Sequence, residues 1–290
     1  MVRIGIVGSD NSHAEAFSKI CNDETHELYV KDAEVVSIFG LEPERTQEVA
    51  TNGKIPTIVE TPDEMIGNVD LVLVVYRHGG LHRQYAEPFL RAGVPAFVDK
   101  PMSISPQDAK ALLDAADKNN TLLTSFSTLR YAKDMRAFID EAKAGGPIHM
   151  ATMSGPADRQ SEYGGLPFYG VHIAEMLQEL VGTGVHSVHA VQNNQSIVAT
   201  VTYYDDVIAT LSFLGNTNYV FHMGSFGEKG HVARPLDAGS CYRDGLDVVL
   251  KMLETGEAPL NREQLLEPVK VMTAIDQSLI TGKSVDISII

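Results

Sequence analysis

The 290-residue chain is predicted to form two domains, residues 1–126 and 127–290, of which the first has a Rossmann-like, doubly wound parallel sheet. Short apolar runs alternate with helical patterns through the first domain, as in βαβ units. The first of these runs ends in a glycine-containing turn that opens a helix. In the second domain the strands alternate apolar and polar residues, which is typical of an antiparallel sheet with one covered face.

The elements of the first domain follow in a regular order. Ile4–Val7 is predicted as a buried strand, and Gly8 begins a turn that leads into a helix. Phe17, Ile20 and Cys21 recur at the spacing of the buried face of that helix. Five more strands, separated by helices, complete the predicted sheet. They are expected at residues 34–39, near 58, and at 71–76, 94–98 and 122–126.

The second domain is predicted to be α+β, with an open-faced and mostly antiparallel sheet. Along the strand expected at 197–203, Ile197 and Val201 share one face. Other strands are expected at 148–153, 207–213 and 219–223. One helix is expected to contain Ala132, Met135 and Ile139, another to lie around residues 173–181, and two more at roughly 244–253 and 268–279. The second face of the sheet carries apolar or aromatic residues, including Val198 and Tyr204. Because this face needs a cover, we expect a homodimer or homotetramer formed through the sheet.

Charge and composition limit the class of partner. The formal net charge is -15 and the chain has no Lys/Arg-rich run, so neither nucleic acid nor a membrane is expected as a partner. No apolar stretch approaches the roughly 20 residues of a membrane span, and the N-terminal stretch does not resemble a signal peptide. Cys21 and Cys241 are too few for a disulfide framework or a Cys-rich metal site. We expect a cytoplasmic protein that acts on a small molecule.

Asp99-Lys100-Pro101 ends the apolar run of the fifth predicted strand. In open parallel α/β sheets, ligands bind outside the carboxyl ends of the strands, so Lys100 is expected to face a bound molecule. The simpler interpretation is a solvated strand end, and only the rest of the chain can distinguish the two.

Five segments carry a resemblance to a known family. They are residues 3–8, 93–101 with Asp99-Lys100-Pro101 in place of Glu-Lys-Pro, 129–131, 164–175 and 243–283. In the order and spacing of these segments, the chain resembles the Gfo/Idh/MocA family of NAD(P)-dependent oxidoreductases over nearly its full length. The resemblance implies a Rossmann domain, an open-faced sheet domain and a substrate site between them. It also implies NAD or NADP as the cofactor and a sugar, inositol or similar small polyol as the substrate.

The resemblance further implies catalytic roles for Lys100 and His172. In the family, the lysine of Glu-Lys-Pro lies beside the nicotinamide, and a histidine on a helix of the second domain binds the reacting hydroxyl. Oxidation of a secondary alcohol needs a base that takes the hydroxyl proton while hydride leaves, and desolvation lowers the pKa of a lysine toward that use. We therefore predict Lys100 as the acid/base and His172 as the hydroxyl-binding group.

The glycine-rich turn departs from the dinucleotide fingerprint G-x-G-x-x-G. Gly8 is kept, but Asp10 and His13 stand at the second and third glycines. Glycines at these positions let the backbone approach the pyrophosphate, whereas an aspartate brings volume and negative charge. His13 can donate a hydrogen bond to a phosphate in compensation. Together with Asn11 and Ser12, these residues form the predicted phosphate-binding turn.

Other cofactor contacts also differ from the family pattern. Gly40 stands at the end of the second strand, where the family usually has an acid that holds the adenosine ribose. Glu42 and Arg45 are the candidates to replace it, and the arginine would favour a 2'-phosphate. The remaining predicted cofactor contacts lie after the fourth strand and at the end of the fifth: Tyr76, Arg77, His78 and Asp99. Arg77 is suited to a phosphate or to a substrate carboxylate.

The catalytic group of the second domain is altered as well. Phe168 stands four residues before His172, where many family members carry an aspartate. Tyr169, Tyr163 and Glu175 are candidates to replace that aspartate, and a tyrosine can transfer protons when a neighbouring cation lowers its pKa. We predict Tyr169 as the third catalytic residue. The further predicted substrate-binding residues are Arg130 and Tyr163.

Two other functions stay open from the sequence. The altered positions Asp10, Gly40 and Phe168 favour a redox-inactive ligand-binding or regulatory protein of the same fold. A metal-dependent lyase or hydrolase rests on three spacings: His78 with His82, His186 with His189, and His172 with Glu175. The Gly-Gly inside the first pair and the opposite sides that the second pair would occupy on a strand argue against a metal, and we predict no metal site.

Overall fold

The computed structural model describes all 290 residues, which form two compact units. The first unit consists of residues 1–103, 107–126 and 242–261, and the second of 104–106, 127–241 and 262–290. Residues 242–261 pack with the first unit, although the sequence pattern had assigned them to the second domain.

The sheet of the first unit has six strands. They are Val2–Val7 (β1), Ala33–Phe39 (β2), Thr57–Ile58 (β3), Leu71–Val74 (β4), Ala96–Val98 (β5) and Leu123–Ser125 (β6). All pairings are parallel, in the order β3-β2-β1-β4-β5-β6. The chain order reverses between β1 and β4, so the predicted doubly wound sheet is confirmed. Ligands of such sheets bind outside the carboxyl ends of the strands at this reversal.

Four helices accompany these strands. They are Ser12–Asn22 (α1), Pro43–Asn52 (α2), His82–Arg91 (α3) and Pro106–Asn119 (α4), with a 3-10 turn at Pro62–Met65. The predicted buried face of α1 is confirmed, because Phe17, Ile20 and Cys21 are all buried. Pro43 occupies the first position of α2, where its missing N–H leaves no helical hydrogen bond unmade.

The sheet of the second unit has seven strands. They are Ile148–Pro156 (β7), Val185–Asn193 (β8), Ser196–Tyr203 (β9), Ile208–Leu214 (β10), His222–Gly227 (β11), Gly230–Pro235 (β12) and Val285–Asp286 (β13). Their order is β12-β11-β7-β10-β9-β8-β13. Only the β7–β10 pairing is parallel, so the predicted mostly antiparallel sheet is confirmed.

Four further helices complete the chain. They are Lys133–Ala144 (α5), Pro167–Val181 (α6), Cys241–Thr255 (α7) and Arg262–Thr281 (α8), with 3-10 turns at Thr128–Tyr131 and Ile287–Ile289. Helix α6 packs on β7 and β10, and α8 packs on β8 and on α6, so the two helices cover one face of the sheet. None of the helices combines the length and the apolar character that crossing a membrane requires.

The two faces of the second sheet differ in burial, as the alternation of apolar and polar residues predicts. Along β9, Ile197, Ala199 and Val201 are buried. Val198 points the other way and is 41% exposed, and its cross-strand partner Val191 is 58% exposed. The face opposite α6 and α8 therefore presents apolar side chains to solvent.

Two predicted element boundaries are wrong. The strand expected from Tyr219 begins at His222, because residues 215–218 form a turn that leaves Tyr219 outside the sheet. The helix expected to begin at Pro268 begins at Arg262 and contains the proline. Proline is favoured at the first helical position, and this preference misplaced the predicted start.

Candidate active site

The turn between β1 and α1 is tightly placed against the end of β4. Gly8 has a φ of +113°, and a Cβ built on it would lie 2.8 Å from the backbone nitrogen of Tyr76. Only glycine fits such a position, both for its backbone conformation and for the space around it. The first glycine of the dinucleotide fingerprint is therefore kept for the physical reason that the fingerprint requires.

Asp10 holds this turn to the loop that follows β4. Its Oδ2 accepts a hydrogen bond from the backbone N–H of Arg77 at 3.2 Å. Burial raises the pKa of Asp10, and the hydrogen bond and charge of Arg77 only partly oppose this shift. The carboxyl thus has a structural role as a bridge between two loops. It also places an acid where the fingerprint has its second glycine.

Asp99 is a fully buried acid at the carboxyl end of β5. Its Oδ2 lies 2.6 Å from His13 Nδ1 and accepts a hydrogen bond from Asn11 Nδ2 at 3.1 Å. Burial alone would raise the pKa of Asp99, but His13 and Lys100 outweigh burial and hold it at about 2. The second oxygen, Oδ1, has no hydrogen-bond partner in the protein.

The residues after Gly8 form the N-terminus of α1. Asn11 is the N-cap, and its side chain accepts a hydrogen bond from the backbone N–H of His13 at 3.2 Å. Ser12 follows as the first helical residue and is exposed. The edge of the His13 ring contacts Tyr242, with the ring centroids 5.0 Å apart. His13 is therefore held between an acid and an aromatic ring.

Lys100 and His82 are both buried, and His82 contacts the loop that follows β5. Lys100 is only 3% exposed, and His82 is fully buried. The Nδ1 of His82 lies 2.8 Å from the carbonyl oxygen of Pro101, and Nε2 lies 2.9 Å from that of Tyr76. The ring thus joins the loops after β4 and β5. Sequence reasoning considered His82 only as a metal ligand, and its position at the start of a helix carried no signal of this role.

The loop after β4 contributes backbone more than side chains. The ring of Tyr76 is buried against Tyr85, and burial raises the pKa of Tyr76 far above its usual range. His78 Nδ1 accepts the backbone N–H of Gly80 at 3.1 Å. The main chain of Tyr76 therefore lies close to Gly8 and that of Arg77 to Asp10, whereas the His78 ring contacts Gly80 within its own loop.

The end of β2 has no room for the acid that the family places there. A Cβ at Gly40 would collide with Ser9 Oγ and Thr46 Oγ1. These two hydroxyls are buried and lie 2.8 Å apart in a mutual hydrogen bond. The missing acid is thus replaced by a hydroxyl pair that fills its space.

Arg45 and Glu42 are the two candidates to contact the adenosine ribose, and they differ in whether other side chains already engage them. Arg45 is paired with Glu48 at 2.7 Å and with Glu15 at 3.4 Å. Glu42 is the N-cap of α2, and its side chain makes no capping hydrogen bond. The charge of Arg45 is thus already neutralised by two glutamates, whereas the Glu42 carboxylate is exposed.

In the second unit, His172 lies on α6 and is 6% exposed. Its Nδ1 is 2.6 Å from the hydroxyl oxygen of Ser127, a fully buried residue between β6 and the 3-10 turn at Thr128–Tyr131. The His172 ring also packs against Tyr169 and Phe221, with centroids 5.6 and 5.4 Å apart. Sequence reasoning missed Ser127, because a serine in that segment has no distinguishing pattern.

The candidates for the missing aspartate have different surroundings. Phe168 packs against both Tyr163 and Tyr169, with its ring centroid 4.9 Å from each of theirs. Tyr219 packs against Tyr169, and burial raises the pKa of Tyr219 to about 12. The residue at position 168 thus belongs to an aromatic cluster around His172.

Arg130 is the largest fully buried side chain of the second unit. Its guanidinium nitrogens donate to Glu179 at 2.6 Å, to Gln178 at 2.8 Å and to Glu175 at 3.5 Å. Glu175 Oε2 also accepts the backbone N–H of Ser127 at 2.7 Å. Arg130 therefore connects the 3-10 turn to α6 through a buried network.

The histidine pairs do not assemble a metal centre. Both ring nitrogens of His82 face backbone carbonyls, and His186 lies exposed against the ring of Tyr204. Nowhere in the chain do three or more His, Cys, Asp or Glu side chains lie together in an arrangement that could hold a metal ion.

Comparison with known proteins identifies relatives of both the sequence and the fold. Residues 2–126 match the family model GFO_IDH_MocA, described as an oxidoreductase family with an NAD-binding Rossmann fold. A 1,5-anhydro-D-fructose reductase of Ensifer adhaerens is 32% identical over 119 residues, which are 40% of this chain and about a third of that enzyme (36%). An inositol 2-dehydrogenase of Acidothermus cellulolyticus is 22% identical across 80% of this chain and 72% of that enzyme.

Solved structures match the chain along its length. A probable dehydrogenase from Thermotoga maritima has a TM-score of 0.84 at 19% identity, covering 99% of both chains. The scyllo-inositol dehydrogenase of Lactobacillus casei, solved with NAD(H) and scyllo-inositol, also has a TM-score of 0.84, at 15% identity and with the same coverage. At these identities the structures establish the shared fold.

The sequence match and the fold agree with the resemblance that the motifs predicted. Residues 2–126 therefore match an oxidoreductase family with an NAD-binding Rossmann fold, and the chain shares the fold of the solved dehydrogenases along its whole length.

Proposed function

We propose that the protein is an NAD(P)-dependent oxidoreductase that acts on a CH–OH group of a sugar, inositol or similar small polyol. The observation that carries this proposal is the burial of Lys100 at the carboxyl end of β5, next to the buried, ionised Asp99. A solvated strand end would leave the lysine exposed. Ligands of open parallel sheets bind at this end of the strands, so the buried amine of Lys100 is positioned for chemistry on a bound molecule.

The residues of the first unit fit a dinucleotide at two points. Gly8 lets the backbone approach the pyrophosphate closely, at a position whose φ and surroundings admit only glycine. The unpartnered Oδ1 of Asp99 can accept a hydrogen bond from a donor group of the ligand. Asp10 opposes binding of a pyrophosphate through its charge. The cofactor, when bound, supplies the hydride acceptor. The residues proposed to hold it are Gly8, Asp10, Asn11, Ser12, His13, Tyr76, Arg77, His78 and Asp99.

The chain itself supplies the proton chemistry. Lys100 takes the proton of the reacting hydroxyl, as a base does in alcohol oxidation. His172 binds the oxygen of that hydroxyl, and Tyr163 and Tyr169 line the polyol site beside it. We assign Arg130 a structural role in place of the predicted substrate contact, because its guanidinium is engaged by three side chains of α6, of which Glu175 and Gln178 are buried.

We propose NAD as the preferred cofactor. The 2'-phosphate of NADP requires a cation near the end of β2. Arg45 is paired with two glutamates there, and Glu42 adds an exposed negative charge. A carboxylate that accepts ribose hydroxyls is compatible with NAD and repels the additional phosphate.

Titration with NADH and NADPH, followed by nicotinamide fluorescence, tests the cofactor. We expect NADH to bind with a Kd below 1 mM and NADPH to bind about tenfold more weakly. Turnover is then measured on a panel of sugars and inositols with Lys100→Ala, and with Lys110→Ala on the exposed face of α4 as the matched control. Loss of turnover with Lys100→Ala at unchanged NADH affinity supports the assignment. Equal turnover in both variants removes Lys100 from the mechanism.

A second candidate function is a redox-inactive ligand-binding or regulatory protein of the same fold. The observation that favours it is the acid at the second glycine position, where Asp10 is fixed by Arg77. Absence of binding of either dinucleotide below millimolar concentration, with a polyol still bound by the folded protein, would establish this function in place of the oxidoreductase.

We also propose a homodimer or homotetramer formed through the open face of the second sheet, in the cytoplasm. The exposed apolar residues of that face support the assembly. The two free cysteines are consistent with a reducing compartment.

A further inference from the structure

We propose that Ser127 is a positioning residue that fixes His172 as the neutral tautomer with its proton on Nε2. In this form His172 presents a hydrogen-bond donor to the substrate oxygen and leaves proton abstraction to Lys100. The inference rests on the proposed function, because it describes what the same histidine offers to the substrate.

The surroundings of the Ser127 hydroxyl determine the direction of its hydrogen bonds. Ser127 is fully buried. Its Oγ accepts the backbone N–H of Leu129 at 3.2 Å, and it lies 2.6 Å from Nδ1 of His172. A hydroxyl has one proton to donate, and Nδ1 is the acceptor that lies within reach of it.

A protonated Nδ1 would leave this hydroxyl unsatisfied. If Nδ1 carried a proton and donated to Oγ, the Ser127 hydroxyl proton would be buried without an acceptor, which costs as much as a lost hydrogen bond. If Nδ1 accepts, both the hydroxyl proton and the imidazole lone pair are satisfied. The proton of the neutral ring is then on Nε2.

The position of Ser127 is itself fixed by the buried network of the second unit. Its backbone N–H donates to Glu175 Oε2 at 2.7 Å, and the same oxygen faces Arg130 Nε at 3.5 Å. Ser127 is also the N-cap of the 3-10 turn. The hydroxyl therefore cannot turn away from His172 without breaking local contacts.

This arrangement differs in kind from an aspartate partner. A carboxylate only accepts hydrogen bonds, so it stabilises a proton on the imidazole nitrogen that it faces. A hydroxyl also has a proton to donate, and the buried Ser127 hydroxyl satisfies that proton by donating to Nδ1. With Phe168 at the position of the family's aspartate, Ser127 supplies a hydrogen-bond partner for His172 from outside α6.

Nitrogen NMR of the full-length protein reads the tautomer directly. The protein is labelled with 15N in its ten histidines, and the His172 signals are assigned by their loss in His172→Gln. At pH 7.5, without ligand, we expect the Nδ1 signal in the range of an unprotonated acceptor and the Nε2 signal in that of a protonated nitrogen. A proton on Nδ1, or on both nitrogens, overturns the proposal.

Kinetics of Ser127 variants test the positioning role. We expect Ser127→Ala to lower kcat about three- to tenfold, the effect of one hydrogen bond, with the NADH Kd unchanged. Ser127→Thr keeps the hydroxyl and should recover most of that loss. The matched control is Ser225→Ala, which removes another buried hydroxyl of the second unit, one without a hydrogen-bond partner. An unchanged kcat in Ser127→Ala overturns the proposal. If the Ser127 variants do not fold, the NMR measurement of the His172 tautomer in the wild-type protein tests the proposal alone.

The two proposals fail in different ways. If His172→Gln leaves turnover unchanged, the proposed role of His172 in the reaction fails, whatever its tautomer. If His172→Gln is inactive but Nδ1 carries the proton, the proposed function stands and the role of Ser127 is overturned.

Discussion

Asp10 is a residue at which structure and ligand binding impose opposite demands. Its carboxylate is required to accept the Arg77 N–H, yet its charge opposes a pyrophosphate. Burial raises the pKa of Asp10, so this opposition weakens as pH falls toward the raised pKa.

We therefore expect Asp10→Asn, which can still accept the Arg77 N–H, to bind NADH about tenfold more tightly than the wild type at pH 7.5. The difference between the two affinities should narrow as pH is lowered, because the raised pKa of Asp10 lets the wild type take up a proton there. Fluorescence titrations at several pH values measure both affinities. Equal affinities at pH 7.5 would mean that Asp10 does not face the cofactor.

Asp99 contributes to stability through its lowered pKa. The folded-state pKa is about 2, below the roughly 3.9 of an unfolded chain. The contribution is therefore complete above about pH 4 and is lost as pH falls from there toward 2. Its size is on the order of 2 kcal/mol for this fully buried group.

We expect Asp99→Asn to lower the free energy of unfolding at pH 7 by about 2 kcal/mol, because an amide cannot replace the ionised carboxylate that His13 and Asn11 contact. Urea unfolding at pH 7 measures the change. The control is Asp70→Asn, which breaks an ion pair with Arg3 that is more than 40% exposed, and it should cost less than about 1 kcal/mol. A loss no larger than the control's would contradict the assigned role of Asp99.

At the scale of elements, helix α2 determines the charge near the end of β2. Arg45 is tied to Glu48 one turn later on the same helix and to Glu15 on α1. The proposed preference for NAD therefore depends on acids that hold the arginine as well as on Glu42.

We expect Glu48→Gln to release Arg45 and to improve NADPH binding about three- to tenfold, with NADH affinity nearly unchanged. The matched control is Glu44→Gln, which removes a charge from the same helix without freeing the arginine. Fluorescence titration with both dinucleotides measures the ratio of the two affinities. An equal effect of both substitutions would mean that net charge, not Arg45, sets the preference.

The helices and strands that were predicted correctly are those with a strong periodic pattern of apolar residues. The βαβ alternation and the strand at 197–203 were predicted correctly, because burial of one face imposes a period that neighbouring residues repeat. The edge strand β12 was not predicted, since none of its residues is buried and no run of apolar side chains marks it. The start of α8 was misplaced, because the local preference of Pro268 pointed to a different position from the one that packing selected.

At the scale of the whole molecule, the open face of the second sheet is the surface through which we propose that copies of the chain associate. Val191 and Val198 pair across β8 and β9, and Ile208 and Phe226 are exposed on the same face. Apolar side chains in such a row favour association through burial.

We expect Val198→Lys to shift the protein to a smaller species in light scattering coupled to size-exclusion chromatography, because the interface would have to bury a charge. Ile280→Lys, at a 75% exposed site near the end of α8, should leave the mass unchanged. A monomeric wild type, or an unchanged mass for Val198→Lys, would contradict assembly through this face.

The sequence alone predicted the doubly wound sheet and the mostly antiparallel second sheet, and it indicated the resemblance to the Gfo/Idh/MocA family and the candidates Lys100 and His172. These predictions follow from periodic burial and from motifs that lie close together in the chain. The buried contacts of Ser127, His82 and Arg130 are visible only in the tertiary structure. Their partners lie on other elements, so no local pattern records them, and the direction of a hydrogen bond such as that between Ser127 and His172 depends on how many donors and acceptors folding brings together.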